Sequence, residues 1–134
     1  MIPSLIKSRK INFGLVGCGR ISNNHLKAIA SFSEDINLAG LCDIDSSALD
    51  KACAEYGAPG FDDYQTMLQD PNIDIVSICT PSGLHPEQAI MAAKAGKHVL
   101  SEKPMATDLQ SAILYIDNSQ KECLVPSLNQ LAKY

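Results

Sequence analysis

The 134-residue sequence contains no tryptophan, and only 5% of its residues are aromatic. It also lacks any apolar run near the ~18 residues that a membrane-spanning helix requires. Residues 1–10 lack the apolar core of a signal peptide. We therefore expect no membrane-spanning segment and predict a cytoplasmic protein that does not bind a membrane.

An excess of basic residues is missing as well. The chain has 11 Lys and Arg against 15 Asp and Glu, which gives a formal charge of −4. This charge repels nucleic-acid phosphates, so we expect no nucleic-acid partner. The cysteines are odd in number and lack metal-ligand spacing, so they predict reduced core residues and no metal site. They are Cys18, Cys42, Cys53, Cys79 and Cys123.

The residues that are present favour one globular domain. The chain is 46% hydrophobic and 19% charged, which suffices for a packed core. Its length fits one domain at the usual ~100 to 200 residues, and so excludes a two-domain enzyme. We expect a lead-in at 1–10, a single folded domain at 11–125 and a tail at 126–134.

Short β-branched runs alternate with stretches of helical periodicity along the chain. This alternation predicts an α/β fold with a doubly wound parallel sheet. Ser46 or Ser47 is expected to cap the second helix, and Gly57 and Gly96 are expected to end helices. Strands are predicted at 11–16, 36–42, 61, 73–79, 98–100 and 123–125, and helices at 22–32, 46–56, 64–69, 86–95 and from 107 or 108 to 120.

A glycine-rich segment joins the first predicted strand to the first helix. Gly17 to Ser22 (GCGRIS) matches the G-x-G-x-x-G fingerprint except at its last position. Gly17 permits the tight turn, and Gly19 lets the backbone approach a pyrophosphate at the start of the helix. The alternative is a tight strand-to-helix turn with no ligand.

An acidic residue follows the second predicted strand. Asp43 lies 24 residues after Gly19, near the ~20-residue distance at which dinucleotide-binding domains place the acid for the adenosine ribose hydroxyls. A carboxylate there repels a 2′-phosphate, so the sequence predicts NAD rather than NADP as the cofactor. Asp43 could instead be an ordinary turn or capping acid beside Asp45.

Three further segments are distinctive when taken together. They are Thr80 to His85 (TPSGLH), Ala95 to Val99 (AGKHV) and Ser101 to Pro104 (SEKP). In this order after the glycine loop, they resemble the Gfo/Idh/MocA oxidoreductases over about residues 11–108. The segments TPSGLHPEQAI (residues 80–90) and EKPMAT (residues 102–107) are most similar in sequence to the UDP-N-acetylglucosaminuronate 3-dehydrogenases of lipopolysaccharide and other surface-polysaccharide biosynthesis.

The resemblance implies hydride transfer to NAD from a carbon that bears a hydroxyl on a sugar or nucleotide sugar. Lys103 would be the catalytic residue, hydrogen-bonded to the reacting oxygen. Glu102 would hold the nicotinamide ribose region or orient Lys103, and Pro104 would fix the turn through a cis bond. Lys103 could also be a solvated lysine at a strand end.

The same resemblance implies further cofactor-binding residues. Ile44 would lie against the adenine, and Arg20 would lie either at the pyrophosphate or on the surface. His85 could instead simply begin a helix, whereas His25 and His98 are expected to be structural. The remaining residues implied to line the cofactor site are Ile21, Thr80, Pro81, Leu84 and His85.

The sequence departs from the family in the segment that supplies the general base. Family members carry a second domain with the substrate pocket and an Asp-x-x-x-His segment that supplies the general base, and no such segment occurs here. We therefore expect the NAD-binding part of an oxidoreductase, inactive alone, that meets its sugar substrate only with a second domain. A stand-alone dinucleotide sensor and a truncated gene remnant are the alternatives, and the oligomeric state stays open.

Overall fold

The computed structural model describes residues 8–121. Its strands and helices alternate, as the sequence predicts. No helix among these residues is long and apolar enough to cross a membrane. The strands are β1 (Ile11–Val16), β2 (Ile36–Cys42), β3 (Gly60–Phe61), β4 (Ile75–Ile78) and β5 (His98–Ser101). The helices are α1 (Ser22–Ser31), α2 (Ser46–Tyr56), α3 (Tyr64–Leu68), α4 (His85–Lys94) and α5 (Leu109–Lys121), with a 3-10 turn at Ser82–Leu84 before α4.

The strands form a five-stranded sheet in the order β3-β2-β1-β4-β5. All of its pairings are parallel, which confirms the predicted doubly wound α/β class. The chain moves outward in one direction from β1 to β3 and then returns to the other side of β1 with β4. Ligands of such sheets bind at this reversal, beyond the carboxyl ends of the strands. The strand predicted at 123–125 lies outside the described residues.

Helices cover both faces of the sheet, because successive strand residues point to opposite sides. Leu15 and Leu41 are fully buried on one face against Leu26 of α1 and Leu49 of α2. The other face packs mainly against α4. Its buried core residues include Val16, Cys42, Met67, Val76, Ile78, Ala89, Ala92 and Val99.

Aspartates cap the helices that begin on exposed loops. Asp45, rather than Ser46 or Ser47, caps α2, so that expectation was wrong. Its carboxylate accepts hydrogen bonds from the backbone N–H groups of Ser47 and Ala48, while Ser46 already belongs to the helix. Asp63 caps α3 in the same way, and Asp108 accepts from the N–H at the first turn of α5.

The amino ends of the central strands are held by two charged side chains. The guanidinium of Arg9 binds both carboxylate oxygens of Asp74 at 2.7 and 2.8 Å. The buried ammonium of Lys97 donates to the carbonyl oxygens of Asp70 at 2.7 Å and Ile73 at 2.9 Å. Ile73 lies before β4, so the strand predicted from residue 73 begins instead at Ile75.

Candidate cofactor site

The glycine loop turns tightly from β1 into α1. Gly17 has a φ of +92°, which L side chains rarely adopt. A Cβ atom there would lie 2.7 Å from the backbone carbon of Cys79 and from the backbone nitrogen of Thr80. Gly17 is thus required by the packing of the loop against the end of β4, independently of any ligand.

Gly19 has a different environment in the same loop. Apart from Gly19 and the two residues next to it in the chain, no described heavy atom lies within 4 Å of the position that a Cβ atom would take there. No side chain of the described region caps the N-terminus of α1 at Ile21, whereas α2 and α3 have aspartate caps. The hydroxyl of Ser22 donates to the carbonyl of Gly19 and orders the loop. The loop therefore leaves space and free N–H groups for an anion.

Asp43 follows β2 and faces the glycine loop. One carboxylate oxygen accepts from the backbone N–H of Cys18 at 2.7 Å, and the other accepts from the N–H of Asp45 at 2.8 Å. A carboxylate has about four acceptor positions, so two remain for ribose hydroxyls. The next side chain, Ile44, is 97% exposed and offers an apolar surface beside this carboxylate.

The thiol of Cys18 lies in the loop but is not set up for reaction. Burial, followed by the nearby charge of Asp43, raises the pKa of Cys18 to about 12. Burial is also the main reason that the pKa values of Cys42 and Cys79 rise to about 12. The four described cysteines are free, and no metal-binding group of His, Cys, Asp or Glu occurs in residues 8–121.

The segment after β4 forms a second wall of the site. Thr80 bonds the side chain of Gln88, and Leu84 is 43% exposed. His85 is buried, and its ring nitrogens lie 2.7 Å from the carbonyl oxygen of Thr80 and 2.8 Å from that of Pro104. His85 therefore braces the loop after β4 against the segment after β5.

The segment after β5 contains Glu102, Lys103 and Pro104. The Lys103–Pro104 peptide bond is cis, as expected from the resemblance. Lys103 is exposed, whereas Glu102 is half-buried and its carboxylate contacts Nε2 of His25. The other ring nitrogen of His25 lies 2.9 Å from the hydroxyl of Ser77.

The contact of His25 with the site was not predicted from the sequence. One signal was available, because His25 lies three residues after the buried Ser22 and one before the buried Leu26 on α1. That spacing places His25 beside the face that packs on the sheet. A polar residue there needs a partner, but the sequence does not reveal that the partner follows β5.

The predicted site residues lie in segments that follow the carboxyl ends of four parallel strands. The glycine loop with exposed Arg20 and Ile21 follows β1, and Asp43 and Ile44 follow β2. The loop containing Pro81 follows β4, and the Glu-Lys-Pro segment follows β5. The structure thus brings these segments to one edge of the sheet, while their individual roles toward a cofactor stay predictions.

A parallel sheet with an open glycine loop and an acid after β2 defines a dinucleotide-binding Rossmann domain. Residues 11–125 match the model of the Gfo/Idh/MocA oxidoreductase family, described as its NAD-binding Rossmann fold. The chain belongs to this family, and NAD is its cofactor.

Solved and curated relatives agree with this assignment. The chain is 46% identical to the WlbA dehydrogenase from Bordetella pertussis, solved in complex with NADH and UDP-GlcNAcA, with a TM-score of 0.87 over 90% of this chain and 36% of that one. It is 33% identical to inositol 2-dehydrogenase/D-chiro-inositol 3-dehydrogenase from Lactiplantibacillus plantarum, over 81% of this chain and 31% of the relative. It is 31% identical to D-glucoside 3-dehydrogenase from Escherichia coli, over 90% of this chain and 34% of that relative. The chain thus spans about a third of the length of these relatives.

Proposed function

We propose that this chain is the NAD-binding part of a dehydrogenase that oxidises the C3 hydroxyl of UDP-N-acetylglucosaminuronate in surface-polysaccharide biosynthesis. The likeness to a dehydrogenase solved with NADH and UDP-GlcNAcA supports this substrate, as does the wording of the segments after β4 and β5. Oxidation of a sugar-ring hydroxyl is the broader form of the proposal. The inositol and glucoside dehydrogenases among the relatives support that broader form.

The empty space at Gly19 is the observation on which the cofactor part of the proposal rests. The uncapped N-terminus of α1 lies beside this space, and its N–H groups and positive dipole end suit the pyrophosphate. Asp43 would accept hydrogen bonds from the adenosine ribose, and Ile44 would contact the adenine. The residues present therefore fit a dinucleotide.

When bound, NAD supplies the acceptor for the hydride that leaves the sugar carbon. As the C–H bond breaks and the C=O bond forms, the hydroxyl proton must pass to a base. Lys103 would donate a hydrogen bond to the reacting oxygen and stabilise its negative charge. Glu102 would hold the nicotinamide ribose region next to Lys103.

The histidines of this chain do not supply that base. His25 and His85 direct both ring nitrogens at protein groups, and His98 begins β5 at the opposite edge of the sheet. Since no histidine is available at the cofactor edge, we infer that residues 1–134 bind NAD but do not turn over the sugar alone. The base would come from a second domain, which would also bind the sugar.

Cofactor binding by residues 1–134 tests the proposal most directly. We expect an isothermal titration to show NADH binding, and we expect Gly19→Ala to weaken it at least tenfold, because the new methyl group occupies the pyrophosphate space. The variant should keep the wild-type melting temperature, since no described atom beyond the adjacent residues contacts that methyl group. Binding of NADH by Gly19→Ala with unchanged affinity would contradict the assigned site.

Preference between the two nicotinamide cofactors tests Asp43. Wild type should bind NADH at least tenfold more tightly than NADPH, because the carboxylate repels the 2′-phosphate. Asp43→Asn should narrow this ratio, while Asp50→Asn on the exposed side of α2 serves as the matched control and should leave it unchanged. Equal or tighter binding of NADPH by wild type would overturn the assignment of Asp43.

A further inference from the structure

We infer that His25 is a positioning residue that sets the orientation of Glu102 and so links the pyrophosphate end of the site to its nicotinamide end. The inference rests on the proposed function, because Glu102 is assigned to the nicotinamide ribose region there. His25 itself would touch neither cofactor nor substrate. It would act through the Glu102 carboxylate.

The location of His25 gives it this reach. It lies one turn into α1, the helix that begins at the glycine loop, and its ring crosses to the segment that follows β5. The side chains of His25 and Glu102 are only 17% and 26% exposed, so water competes weakly for the contact. A shift of α1 at the pyrophosphate would therefore be transmitted to Glu102 through a half-buried hydrogen bond.

The Glu102 carboxylate determines that Nε2 of His25 is a donor, because an ionised carboxylate only accepts, and Ser77 adapts to the other nitrogen. The Ser77 hydroxyl is fully buried in β4, lies 2.9 Å from Nδ1 and is able to donate or accept. When His25 is neutral, the Ser77 hydroxyl donates to Nδ1, and Nε2–H donates to the Glu102 carboxylate. When His25 is protonated, Nδ1–H donates to the hydroxyl instead, and Nε2–H still donates to Glu102. The contact to Glu102 thus persists in both charge states.

Glu102 is held from two directions by this arrangement. Its backbone N–H donates to the carbonyl oxygen of Ile78 at 3.0 Å, which ties the main chain to the end of β4. The contact with His25 holds the carboxylate, and the next residue is the exposed Lys103. Without His25, the main chain of Glu102 would stay in place while its carboxylate became free to rotate away from the cofactor.

Two substitutions of His25 separate a positioning role from a merely structural one. A glutamine side chain carries its amide nitrogen to about the position of Nε2, whereas an asparagine side chain reaches only the region of Nδ1. We expect His25→Asn to weaken NADH binding by roughly tenfold, a size typical of coupling between contacting residues. We expect His25→Gln to restore affinity to within about twofold of wild type, with similar melting temperatures for both variants.

A double-mutant cycle completes the test. Glu102→Gln should weaken NADH binding, and adding His25→Asn to it should cause little further loss, because both changes break the same contact. If the Asn variant fails to fold, Ser77→Ala replaces it in the titration, since this change frees the ring and should weaken NADH binding severalfold. Wild-type affinity in His25→Asn, or in Ser77→Ala where it is the substitute, would overturn the inference.

Failure of the inference differs visibly from failure of the proposed function. If wild type binds NADH, Gly19→Ala weakens this binding at least tenfold and His25→Asn leaves it unchanged, then His25 is structural and the proposed function stands. Equal losses in the Asn and Gln variants would also overturn the positioning role, because the reach of the side chain would then be irrelevant. An absence of NADH binding by wild type would overturn the proposed function and, with it, the role of His25.

Discussion

The two ends of the parallel sheet use their polar groups differently. At the amino end, the charged side chains bond to the protein itself: Arg9 to Asp74, and Lys97 to two main-chain carbonyl groups. At the carboxyl end, Asp43 and His85 also bond to protein groups, but Gly19 faces open space and the first turn of α1 has no side-chain cap among the described residues. Stability is therefore expected to depend on the amino end, and ligand binding on the carboxyl end.

This contrast follows from the geometry of parallel sheets. Helix N-termini and the loops that precede them gather at the carboxyl edge, so their free N–H groups are available there for an anionic ligand. The amino edge gathers helix C-termini and the turns that enter the strands, where cations such as Lys97 satisfy carbonyl groups. Substitutions at the two edges should separate loss of folding from loss of cofactor binding.

The largest expected effect is a loss of stability from a substitution at the carboxyl end, which is an exception to this contrast. Gly17→Ala lies at the carboxyl end but should destabilise the fold by about 3 kcal/mol or more, through a strained φ and a methyl group pressed into backbone atoms. Urea denaturation would measure the change. Gly19→Ala, two residues away, is the matched control and should unfold near the wild-type midpoint. Similar midpoints for the two variants would show that the packing against Cys79 and Thr80 is not restrictive.

The next effect is expected at the amino end. Lys97→Met removes the donor for two carbonyl oxygens and should cost about 1 to 3 kcal/mol of folding stability. NADH affinity should not change, because the site is at the other edge. Lys94→Met on the exposed side of α4 is the control and should be nearly neutral. If Lys97→Met loses NADH affinity under conditions in which it is fully folded, the proposed separation of stability and cofactor binding between the two ends would be wrong.

A smaller effect concerns the pH dependence of the Arg9–Asp74 pair. The hydrogen bond from Arg9, followed by that from the N–H of Asn12, lowers the pKa of Asp74 in the folded protein. The ionised Asp74 therefore stabilises the fold fully at pH values above its unfolded-state pKa of about 3.9. This stabilisation is lost as the pH falls through the lower pKa of Asp74 in the folded protein.

Asp74→Asn should therefore melt at a lower temperature than wild type near pH 7, and the difference should shrink below about pH 4. Thermal melts at several pH values would test this expectation. Asp62→Asn, an exposed control, should show no such trend. A constant difference down to the acid end of the range would indicate that the carboxylate charge is unimportant.

The smallest expected effect is that the thiol of Cys18 is not alkylated in the folded protein. Cys18 lies in the open loop, but a pKa of about 12 keeps its thiol protonated at pH 8. Mass spectrometry after iodoacetamide treatment should find Cys18 unmodified in the folded protein and modified after unfolding in urea. Rapid alkylation of the folded protein would show that the carboxyl end is more reactive than its geometry indicates.

Local patterns were sufficient to predict most of the fold. The apolar runs at Ile11 and Ile36 have no competing helical period, and Gly57 ends α2 with the left-handed φ expected of it. The cap of α2 was misplaced because aspartate and serine are equally good capping residues, and only the backbone conformation distinguishes Asp45 from its neighbours.

Spacing and local chemistry indicated the glycine loop and the acid after β2, whereas the family resemblance indicated the segments after β4 and β5. Gly17, Gly19 and Asp43 belong to a fingerprint whose spacing reflects one strand-helix-strand unit. The contacts of His25 with Ser77 and Glu102 join residues 52 and 77 positions apart, so they depend on the order of β1, β4 and β5 in the sheet. The hydrogen bonds between Arg9 and Asp74 could not be predicted from the sequence for the same reason, since 65 positions separate the two residues.

The bonds that Asp43 makes with Cys18 and Asp45 have a consequence for the thermodynamics of cofactor binding. Together with the bond from Ser22 to Gly19, they order the loop before any ligand arrives. A preformed loop loses little conformational entropy on binding. Calorimetry should accordingly record only the modest heat-capacity change of surface burial, without the large negative contribution that accompanies folding of a segment around its ligand.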